Sequence, residues 1–444
     1  MTASIADLLS DAVPDARVLT GNSSDGYAIG AMRPAAVVQV RSAEQVATTL
    51  ALANERGWAV APRGGGTMLD LGNPIARLDV VLDLSGIDAV VDYQPDDLTV
   101  TVQAGVTIGT INRLLVERGQ MLPLDVPLPE SATIGGALAT NAHGSRRLRY
   151  GTARDLVIGM QAALPATGLA RSGGKVVKNV AGFDLAKLHI GGLGTAGVIT
   201  EVTFKLWPVP AESAGLVAAF DGYKAAHDSP RGFVTGQLFP AAVVLIGPAS
   251  ADGLKHRWTG EASRGQWLVA VLLLGVHTAV RRQVRDISDL CTRAGSTEIS
   301  VLDAAECDRL FSRIRDHGRG VDDPANLILR ADVLPSDTAR AIRTIEDRSA
   351  SLGTRGDIIA HAGHGVIRAF WPSAPAHAIP DAIRSIRSEL APFGGLVVER
   401  APEGGLAGVD AWGVEGTDLE LMRRLKLAYD ASGILNPGRF AGGI

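Results

Sequence analysis

The stretch from Pro62 to Leu71 reads PRGGGTMLDL, and its three consecutive glycines constrain the fold more than any other feature of the chain. Glycine has no side chain to bury and loses more backbone entropy on ordering than any other residue, so this run does not serve a core. It offers bare N–H groups and positive φ angles, and successive amides in such a turn form a concave anion-binding nest. Trp58–Ala61 has the pattern of a short buried strand, which places the loop at a strand end, where open sheets bind phosphates. The alternative is a tight surface turn.

The residues before the loop predict a βαβ unit. Ala36–Val40 has the pattern of a strand, and Ser42 and Gln45 have the spacing of a capping box that begins a helix. Apolar residues then recur on one helical face until Gly57, which ends the helix. The second strand of the unit therefore runs directly into the triple glycine.

Further short patterns continue an α/β subdomain that spans residues 34–125. Thr107 begins a helix that runs to about Arg118. The strand patterns that precede this helix are Val80–Leu84, Ala89–Tyr93 and Leu98–Gln103.

A second informative stretch, residues 127–151, is rich in small residues where a helix is expected to begin. The small residues are Gly135, Gly136, Ala137 and Ala139, and the nearby polar residues are Thr133, Thr140 and Asn141. Small residues permit close approach of a large planar ligand or of another backbone, and the polar residues can hydrogen-bond such a ligand. Taken alone, the stretch fits a ligand site or a tight helix–helix contact equally well.

A third stretch, from Lys178 to Ile199, contains the pattern Gly192-x-Gly194-x-x-Gly197. The nicotinamide-binding fingerprint with this spacing opens a helix inside a βαβ unit. Here Val198–Leu206 alternates apolar and polar residues as a strand does. We therefore predict a glycine-rich turn that leads into an antiparallel strand.

Pro208 and Pro210 mark the boundary of a second domain, in which strand and helix patterns alternate. Such alternation is typical of a sheet with helices on one face. The strand patterns are Ala241–Ile246, Trp267–Leu274, Leu327–Arg330 and Val366–Trp371, and the helical patterns are Ala279–Ala294, Ala339–Leu352, His377–Leu390 and 418–430.

Composition excludes several classes of protein. The 444 residues exceed one core and predict two or three domains, and a net charge of −4 with dispersed basic residues does not indicate nucleic-acid binding. Two cysteines, Cys291 and Cys307, are too few for an iron–sulfur cluster within this chain. The first 19 residues lack the pattern of a signal peptide, and the most apolar run, Trp267–Gly275, is too short to span a bilayer. We expect a soluble, cytoplasmic protein.

An ordered set of motifs resembles the FAD-binding domain of the vanillyl-alcohol-oxidase type, also called the PCMH type. In chain order the motifs are PRGGGT at 62–67, TIGG at 133–136, N-x-x-G at 141–144, RYGT at 149–152, GFDL at 182–185 and GT-x-GVIT at 194–200. Within that superfamily the chain is most similar to the FAD-binding subunit of bacterial glycolate oxidase. The segments Leu425–Arg439 and His361–Arg368 support this resemblance.

The resemblance implies an α+β fold with a two-subdomain PCMH-type FAD-binding domain and an α+β cap domain of the FAD-linked oxidase type. FAD is expected between the two subdomains, with the cap over its isoalloxazine ring. The implied domains are an N-terminal lead-in at 1–33, the FAD-binding domain at 34–209, the cap and substrate domain at 210–415, and a segment at 416–444 that returns to the FAD domain.

The resemblance also assigns the residues that bind FAD. The loop is expected to hold the pyrophosphate through its amides; its residues are Pro62, Arg63, Gly64, Gly65, Gly66, Thr67 and Met68. The ribityl and pyrophosphate region is assigned to Pro127, Thr133, Gly135, Gly136, Thr140, Asn141 and Gly144. Val198 and Ile199 are expected near the adenine or the flavin edge. Covalent members carry a histidine where Thr67 and Met68 stand, so we expect non-covalent FAD, with attachment to His143 as the alternative.

The candidate catalytic residues are His361, His364, Arg368 and Arg400. A 2-hydroxy acid needs a cation for its carboxylate, preferably an Arg fork, and a base for its hydroxyl proton. On one strand, residues 364 and 368 would share a face, although Gly363 and Gly365 favour a bulge there. The alternative is a surface turn with hydrogen-bonded histidines.

The chain departs from the catalytic-subunit branch of the superfamily, which has two metal-ligand histidines in this segment. Arg368 replaces the second of them, and the later stretch that ends in Glu399-Arg400 has no histidine. We therefore predict no metal. Glu399 and Arg400 either replace the lost groups or form an ion pair on a strand.

Three functions remain open at this level. The first is FAD-dependent oxidation of a small 2-hydroxy acid, such as glycolate or D-lactate, by one subunit of a glycolate-oxidase-like complex. Its electrons would leave through an iron–sulfur subunit, a quinone or dioxygen, and a second flavin subunit is a possible partner. The others are a non-catalytic FAD-binding interaction subunit and a stand-alone oxidase of alcohols or sugars, because fold does not fix chemistry.

Overall fold

The computed structural model describes residues 3–175, 184–229, 231–234, 236–253, 265–320 and 325–444. The chain divides into two compact units. Unit 1 comprises Met1–His143, Thr152–Val209 and Val414–Ile444, and unit 2 comprises Gly144–Gly151 and Pro210–Gly413.

The strands of the described residues are numbered in chain order. They are β1 Arg17–Leu19, β2 Ala36–Gln39, β3 Val60–Arg63, β4 Val80–Asp83, β5 Val90–Gln94, β6 Thr99–Gln103, β7 Gln120–Met121, β8 Val157–Leu164, β9 Gly168–Gly173, β10 Val198–Lys205, β11 Trp207–Pro208, β12 Glu212–Phe220, β13 Ala242–Ile246, β14 Trp267–Gly275, β15 Glu298–Leu302, β16 Leu327–Val333, β17 Asp357–His361, β18 Val366–Trp371 and β19 Gly394–Arg400.

The α-helices are numbered in the same way. They are α1 Ile5–Ala12, α2 Ala43–Arg56, α3 Ile108–Val116, α4 Ile134–Ala139, α5 Arg147–Tyr150, α6 Ala153–Leu156, α7 Ala186–His189, α8 Tyr223–Asp228, α9 Arg231–Val234, α10 Pro248–Gly253, α11 His277–Arg293, α12 Ala304–Asp316, α13 Thr338–Arg348, α14 Ile379–Leu390 and α15 Thr417–Tyr429.

The first sheet of unit 1 has the strand order β1-β2-β4-β3, and its last three strands are parallel. The predicted βαβ unit is confirmed: the Ser42 side chain accepts the Gln45 N–H at the start of α2, and Gly57 ends the helix in the left-handed conformation. The second strand lies two residues later than predicted. The Ala59 N–H donates to Asp79, and pairing with β4 starts only at Val60.

The second sheet of unit 1 is antiparallel, with the order β5-β6-β10-β8-β9. Strand β10 lies at its centre and pairs antiparallel with both β6 and β8. The glycine-rich residues before it form a turn in which Gly191, Gly194 and Gly197 have positive φ. The predicted turn into an antiparallel strand is therefore confirmed.

Unit 2 is built on one antiparallel sheet, whose described strands follow the order β15-β12-β14-β13-β17-β18-β16-β19. Its core joins the central strands to α11, α13 and α14, whose buried residues include Ile287, Ile342 and Ile383. The alternation of strands and helices was predicted, but the sequence patterns did not include β12, β15, β17, β19, α8, α9, α10 or α12.

Candidate functional site

A cavity of about 740 Å³, partly open to solvent, lies within unit 1 around the triple-glycine loop. Its lining residues are Pro62, Arg63, Gly64, Gly65, Gly66, Thr67, Met68, Leu69, Leu84, Thr133, Gly135, Gly136, Ala139, Thr140, Leu193, Gly194, Val198, Ile199, Asn436 and Arg439. They come from the loop, the start of α4, the turn before β10 and the C-terminal tail. The 740 Å³ includes space open to solvent, so the character of the site comes from its lining residues.

The loop, the α4 residues and the β10 residues of the predicted set all lie on this cavity, whereas Pro127, Asn141 and Gly144 do not. Asn141 turns away after α4 in the left-handed conformation, with its Cβ beside Gly191. Gly144 belongs to the segment that groups with unit 2. The first two residues of the GFDL motif, Gly182 and Phe183, and the residues from 178 that precede them lie outside the described residues.

Packing explains two of the three loop glycines directly. A Cβ on Gly64 would lie 2.1 Å from Oγ1 of Thr133, and one on Gly65 would lie 1.7 Å from the carbonyl oxygen of Ser131. Gly66 has a φ of +73°, which other residues rarely adopt. The loop therefore needs glycine because its backbone packs against the segment that leads into α4.

Arg63 adds a charged side chain to the amides that the sequence predicted. Its guanidinium lies 4.4 Å from the centre of the Tyr27 ring, and its Nη1 donates to the Gly26 carbonyl at 2.7 Å. The Tyr27 hydroxyl donates to Asp83, and burial together with that carboxylate raises the tyrosine pKa. The N-terminal lead-in thus fixes a cation at the edge of the cavity.

Sequence reasoning missed the contribution of the C-terminal tail, although it singled out the NPGR motif as part of the resemblance. Asn436 and Arg439 of that motif both line the cavity. Nη2 of Arg439 donates to the carbonyls of Leu69 and Leu71 at 2.5 and 2.6 Å. Burial lowers the Arg439 pKa to about 10, so the side chain is still cationic at pH 7. The cavity therefore offers two cations and an apolar wall, a combination that suits a ligand with phosphates and a flat ring system.

The predicted catalytic residues all lie in unit 2, where His361 and His364 occupy one β-hairpin. His361 ends β17, and His364 lies in the turn before β18, its N–H donating to the His361 carbonyl at 3.0 Å. Their rings stack with centroids 5.0 Å apart. The expectation that residues 364 and 368 share one strand is wrong, because the glycines close a turn there.

Arg368 lies on β18 within a cluster centred on Glu399. The Glu399 carboxylate is 1% exposed and accepts from Arg319 at 2.7 Å, from Arg330 at 3.2 Å and from Nε of Arg368 at 3.1 Å. Burial alone raises the pKa of Glu399, but the three guanidiniums outweigh burial and hold it well below its ordinary value. Nη1 of Arg368 lies 3.5 Å from Nε2 of His361, which brings two of the predicted residues together.

Arg400 does not join this contact. It follows Glu399 on β19, where a bulge leaves Glu399 without a partner on β16 and pairs Arg400 with Ile328. Its Nη1 donates to the carbonyls of Gly318 and Ala325 at 3.2 and 3.1 Å. The alternative of an ion pair between Glu399 and Arg400 is not formed, since Glu399 pairs with three other arginines.

The histidine protonation states constrain the chemistry. Burial, reinforced by Arg147 and Arg368, lowers the His364 pKa to about 3. This ring is therefore neutral at pH 7 and only weakly basic. Nε2 of His361 faces a guanidinium that can only donate, so in this arrangement Nε2 is the acceptor nitrogen of that ring.

The described residues do not suit a metal. Within them, no group of three or more His, Cys, Asp or Glu side chains is arranged to hold an ion. Cys291 and Cys307 are buried, and burial raises the pKa of each thiol to about 12. No helix in this part of the chain is both long and apolar enough to span a membrane.

Comparison with known proteins gives two family matches. Residues 34–172 match the model of the FAD binding domain, and residues 412–440 match the C-terminal domain of FAD linked oxidases. Glycolate oxidase subunit GlcD of Bacillus subtilis is 25% identical over 416 residues, which cover 91% of this chain and 88% of that protein. A D-lactate dehydrogenase of Anaerostipes hadrus is 26% identical, with 95% and 94% of the two chains covered.

Among solved structures, p-cresol methylhydroxylase with bound substrate matches with a TM-score of 0.72 at 18% identity, covering 97% of this chain and 92% of that one. At this identity the likeness concerns the fold alone. The predicted α+β fold and the resemblance to PCMH-type flavoproteins are confirmed.

Proposed function

We propose that this chain, an FAD-dependent oxidoreductase of the PCMH type that acts on CH–OH groups, oxidises a small 2-hydroxy acid such as glycolate or D-lactate. The observation that carries the proposal is the unit 1 cavity, which unites the triple-glycine loop, α4 and β10. The full-length likeness to a glycolate oxidase subunit and a D-lactate dehydrogenase supports the substrate class.

The residues of the cavity fit FAD. Arg63 and Arg439 supply positive charge for the pyrophosphate, and Leu193, Val198 and Ile199 supply an apolar wall. The buried Oδ1 of Asn436 has no hydrogen-bond partner among the described residues, which matches a ligand that carries donors. Bound FAD supplies the acceptor for the hydride that leaves the substrate carbon.

In unit 2, Arg368 and His361 are proposed to recognise the acid. Glu399 engages Nε and Nη2 of Arg368 and thereby fixes the plane of its guanidinium, with Nη1 on the side of His361. A carboxylate that takes over Nη1 would displace its contact with His361, and the Nε2 lone pair released in this way would accept the proton of the neighbouring hydroxyl.

Assembly with other subunits is a further part of the proposal. The chain itself has too few cysteines for an iron–sulfur cluster, so onward electron transfer needs a quinone, dioxygen or a partner that carries such a cluster. The full-length likeness to a protein named as a subunit favours the partner.

The second candidate, a non-catalytic FAD-binding subunit, is favoured by one observation. Glu399 already binds the guanidinium of Arg368, and Arg400 is held by backbone carbonyls. Both cations are thus engaged in contacts that a purely structural cluster would also make.

Anaerobic titration of the holoprotein separates these functions. Glycolate or D-lactate should abolish the visible absorbance of the bound flavin, whereas L-lactate serves as the control of opposite configuration. Full retention of colour with every 2-hydroxy acid, while FAD stays bound, would establish the second candidate. Rapid return of colour in air without a partner would instead indicate a stand-alone oxidase.

A further inference from the structure

We propose that Asn436 binds FAD directly through its side-chain oxygen, and that a buried Lys426–Asp430 pair holds the tail in position for this contact. The inference rests on the FAD cofactor but not on the substrate. All the residues concerned belong to unit 1.

The tail forms a wall of the cavity because it pairs with the strand that carries the glycine loop. The Val60 N–H donates to the Ile434 carbonyl at 2.8 Å, and the Asn436 N–H donates back to the Val60 carbonyl at 2.9 Å. Leu435 and Val60 form a parallel bridge between these bonds. The tail therefore extends the sheet beside β3, two residues before Pro62 enters the cavity wall.

The Asn436 amide has one fixed orientation. Its Nδ2 donates to the Leu193 carbonyl at 2.6 Å, so the amide oxygen is the group of this cavity-lining residue that is left to accept. Oδ1 is buried and has no partner among the described residues, and a buried acceptor without a partner destabilises the protein. FAD carries N–H and O–H donors on the flavin ring, the ribityl chain and the adenine. A donor of FAD would remove this destabilisation.

The Lys426–Asp430 pair connects two walls of the cavity. Nζ of Lys426 donates to the carbonyls of Thr195 and Leu435 at 2.9 and 2.8 Å and to Asp430 at 2.6 Å. Asp430 is 2% exposed and accepts the N–H groups of Ile434 and Leu435. One buried cation thus joins the glycine-rich turn that carries Leu193 and Gly194 to the tail that carries Asn436.

Apoprotein prepared from the holoprotein allows FAD binding to be measured without substrate, from the quenching of flavin fluorescence. Asn436 has a φ of +42°, so Asn436→Gly removes the oxygen without straining the backbone. We expect about tenfold weaker FAD binding and a smaller rise of Tm on FAD addition than in wild type; the apoprotein Tm falls as well, because the bond from Nδ2 to the Leu193 carbonyl is lost. Unchanged FAD affinity, or a loss of Tm that is equal with and without FAD, would overturn the direct contact.

Lys426→Met should weaken FAD binding and increase cleavage of the tail by protease in the holoprotein. Lys187→Met is the matched control, since the Lys187 side chain is half exposed and forms a local ion pair with Asp184. Arginine at position 426 should restore part of the affinity. FAD affinity at the wild-type level in Lys426→Met would refute the positioning role, and if that variant does not fold, Asn436→Gly alone decides. A wild-type protein that binds FAD but is not bleached by any hydroxy acid would defeat the proposed substrate and leave this inference intact.

Discussion

Substitution of Gly65 by alanine isolates close backbone packing from every other property of the glycine loop. Gly65 has no positive φ, so alanine adds no backbone strain there. Its Cβ would lie 1.7 Å from the Ser131 carbonyl oxygen and 2.8 Å from the carbonyl carbon. Both atoms belong to the backbone and cannot rotate away, so the loop and the segment that leads into α4 must separate.

The distance by which the loop and the segment before α4 must separate is larger than the few tenths of an ångström by which packed neighbours usually shift. A normal carbon–oxygen contact is well above 3 Å, so a 1.7 Å approach must open by more than 1 Å. Forced rearrangements of this kind cost about 1–3 kcal/mol in packed regions. Since Gly65 and Thr133 both line the cavity, the movement alters the FAD site itself. If the whole cost falls on the bound state, FAD affinity falls by about 5-fold to 150-fold.

FAD affinity of the apoprotein, measured by flavin fluorescence, tests this value. Gly174→Ala is the matched control, because a Cβ there meets nothing within 4 Å and the residue has no positive φ. The control should bind FAD as wild type does. A dissociation constant of Gly65→Ala within twofold of wild type would refute the role of close backbone packing in shaping the site.

Three further predictions concern both units. Arg368→Met should raise the KM for the hydroxy acid at least tenfold, because it removes the cation proposed to bind the carboxylate. Arg348→Gln, which removes an exposed ion pair with Glu389, is the control; an unchanged KM in Arg368→Met would show that Arg368 does not bind the substrate. Burial lowers the His189 pKa to about 4, so between pH 6.5 and 4 the unfolded chain binds a proton that the folded protein does not; the free energy of unfolding therefore falls as the pH falls, by at most about 1.4 kcal/mol per pH unit. The difference between Tm at pH 7 and Tm at pH 5 should be smaller in His189→Gln than in wild type, and an equal difference would contradict a lowered His189 pKa. Dialysis of the holoprotein against EDTA should leave flavin reduction by substrate unchanged, and a loss that Zn²⁺ or Mn²⁺ restores would show that the donor set does hold a metal.

The sequence predicted best those features that depend on neighbouring residues. The caps of α2 and α3 follow from Ser42, Gly57 and Thr107, whose side chains or conformations act within a few residues. The alternation of Val198–Leu206 likewise identified β10 and excluded the nicotinamide fingerprint. In contrast, β12 has a Gly- and Ala-rich sequence with little strand signal, and its pairing with β14 and β15 creates it.

The candidate site was only half predictable for the same reason. The motif residues of the loop, α4 and β10 lie on the cavity as the resemblance implied. Asn436 reaches it through pairing with Val60, and no local pattern signals a bond between residues so distant in the chain. In unit 2 a bulge at Glu399 sets the positions of Glu399 and Arg400, and the arginines that surround Glu399 depend on the order of β16, β18 and β19 in the sheet.

The glycine run by itself is therefore weaker evidence for a phosphate site than its composition suggests. Gly64 and Gly65 are required by backbone packing, and this requirement would hold in a protein without any ligand. A cofactor is indicated because three further groups meet the loop at one cavity. They are Arg63, which packs on the Tyr27 ring, the buried Arg439, and Asn436, whose side-chain oxygen has no partner among the described residues. Packing and binding act together here, because the glycines that admit Ser131 and Thr133 also bring the start of α4 to the cavity. Only a substitution that changes the packing of the loop without disturbing the cavity would distinguish the packing role of these glycines from their binding role. The distances at Gly64 and Gly65 show that alanine at either position would disturb both.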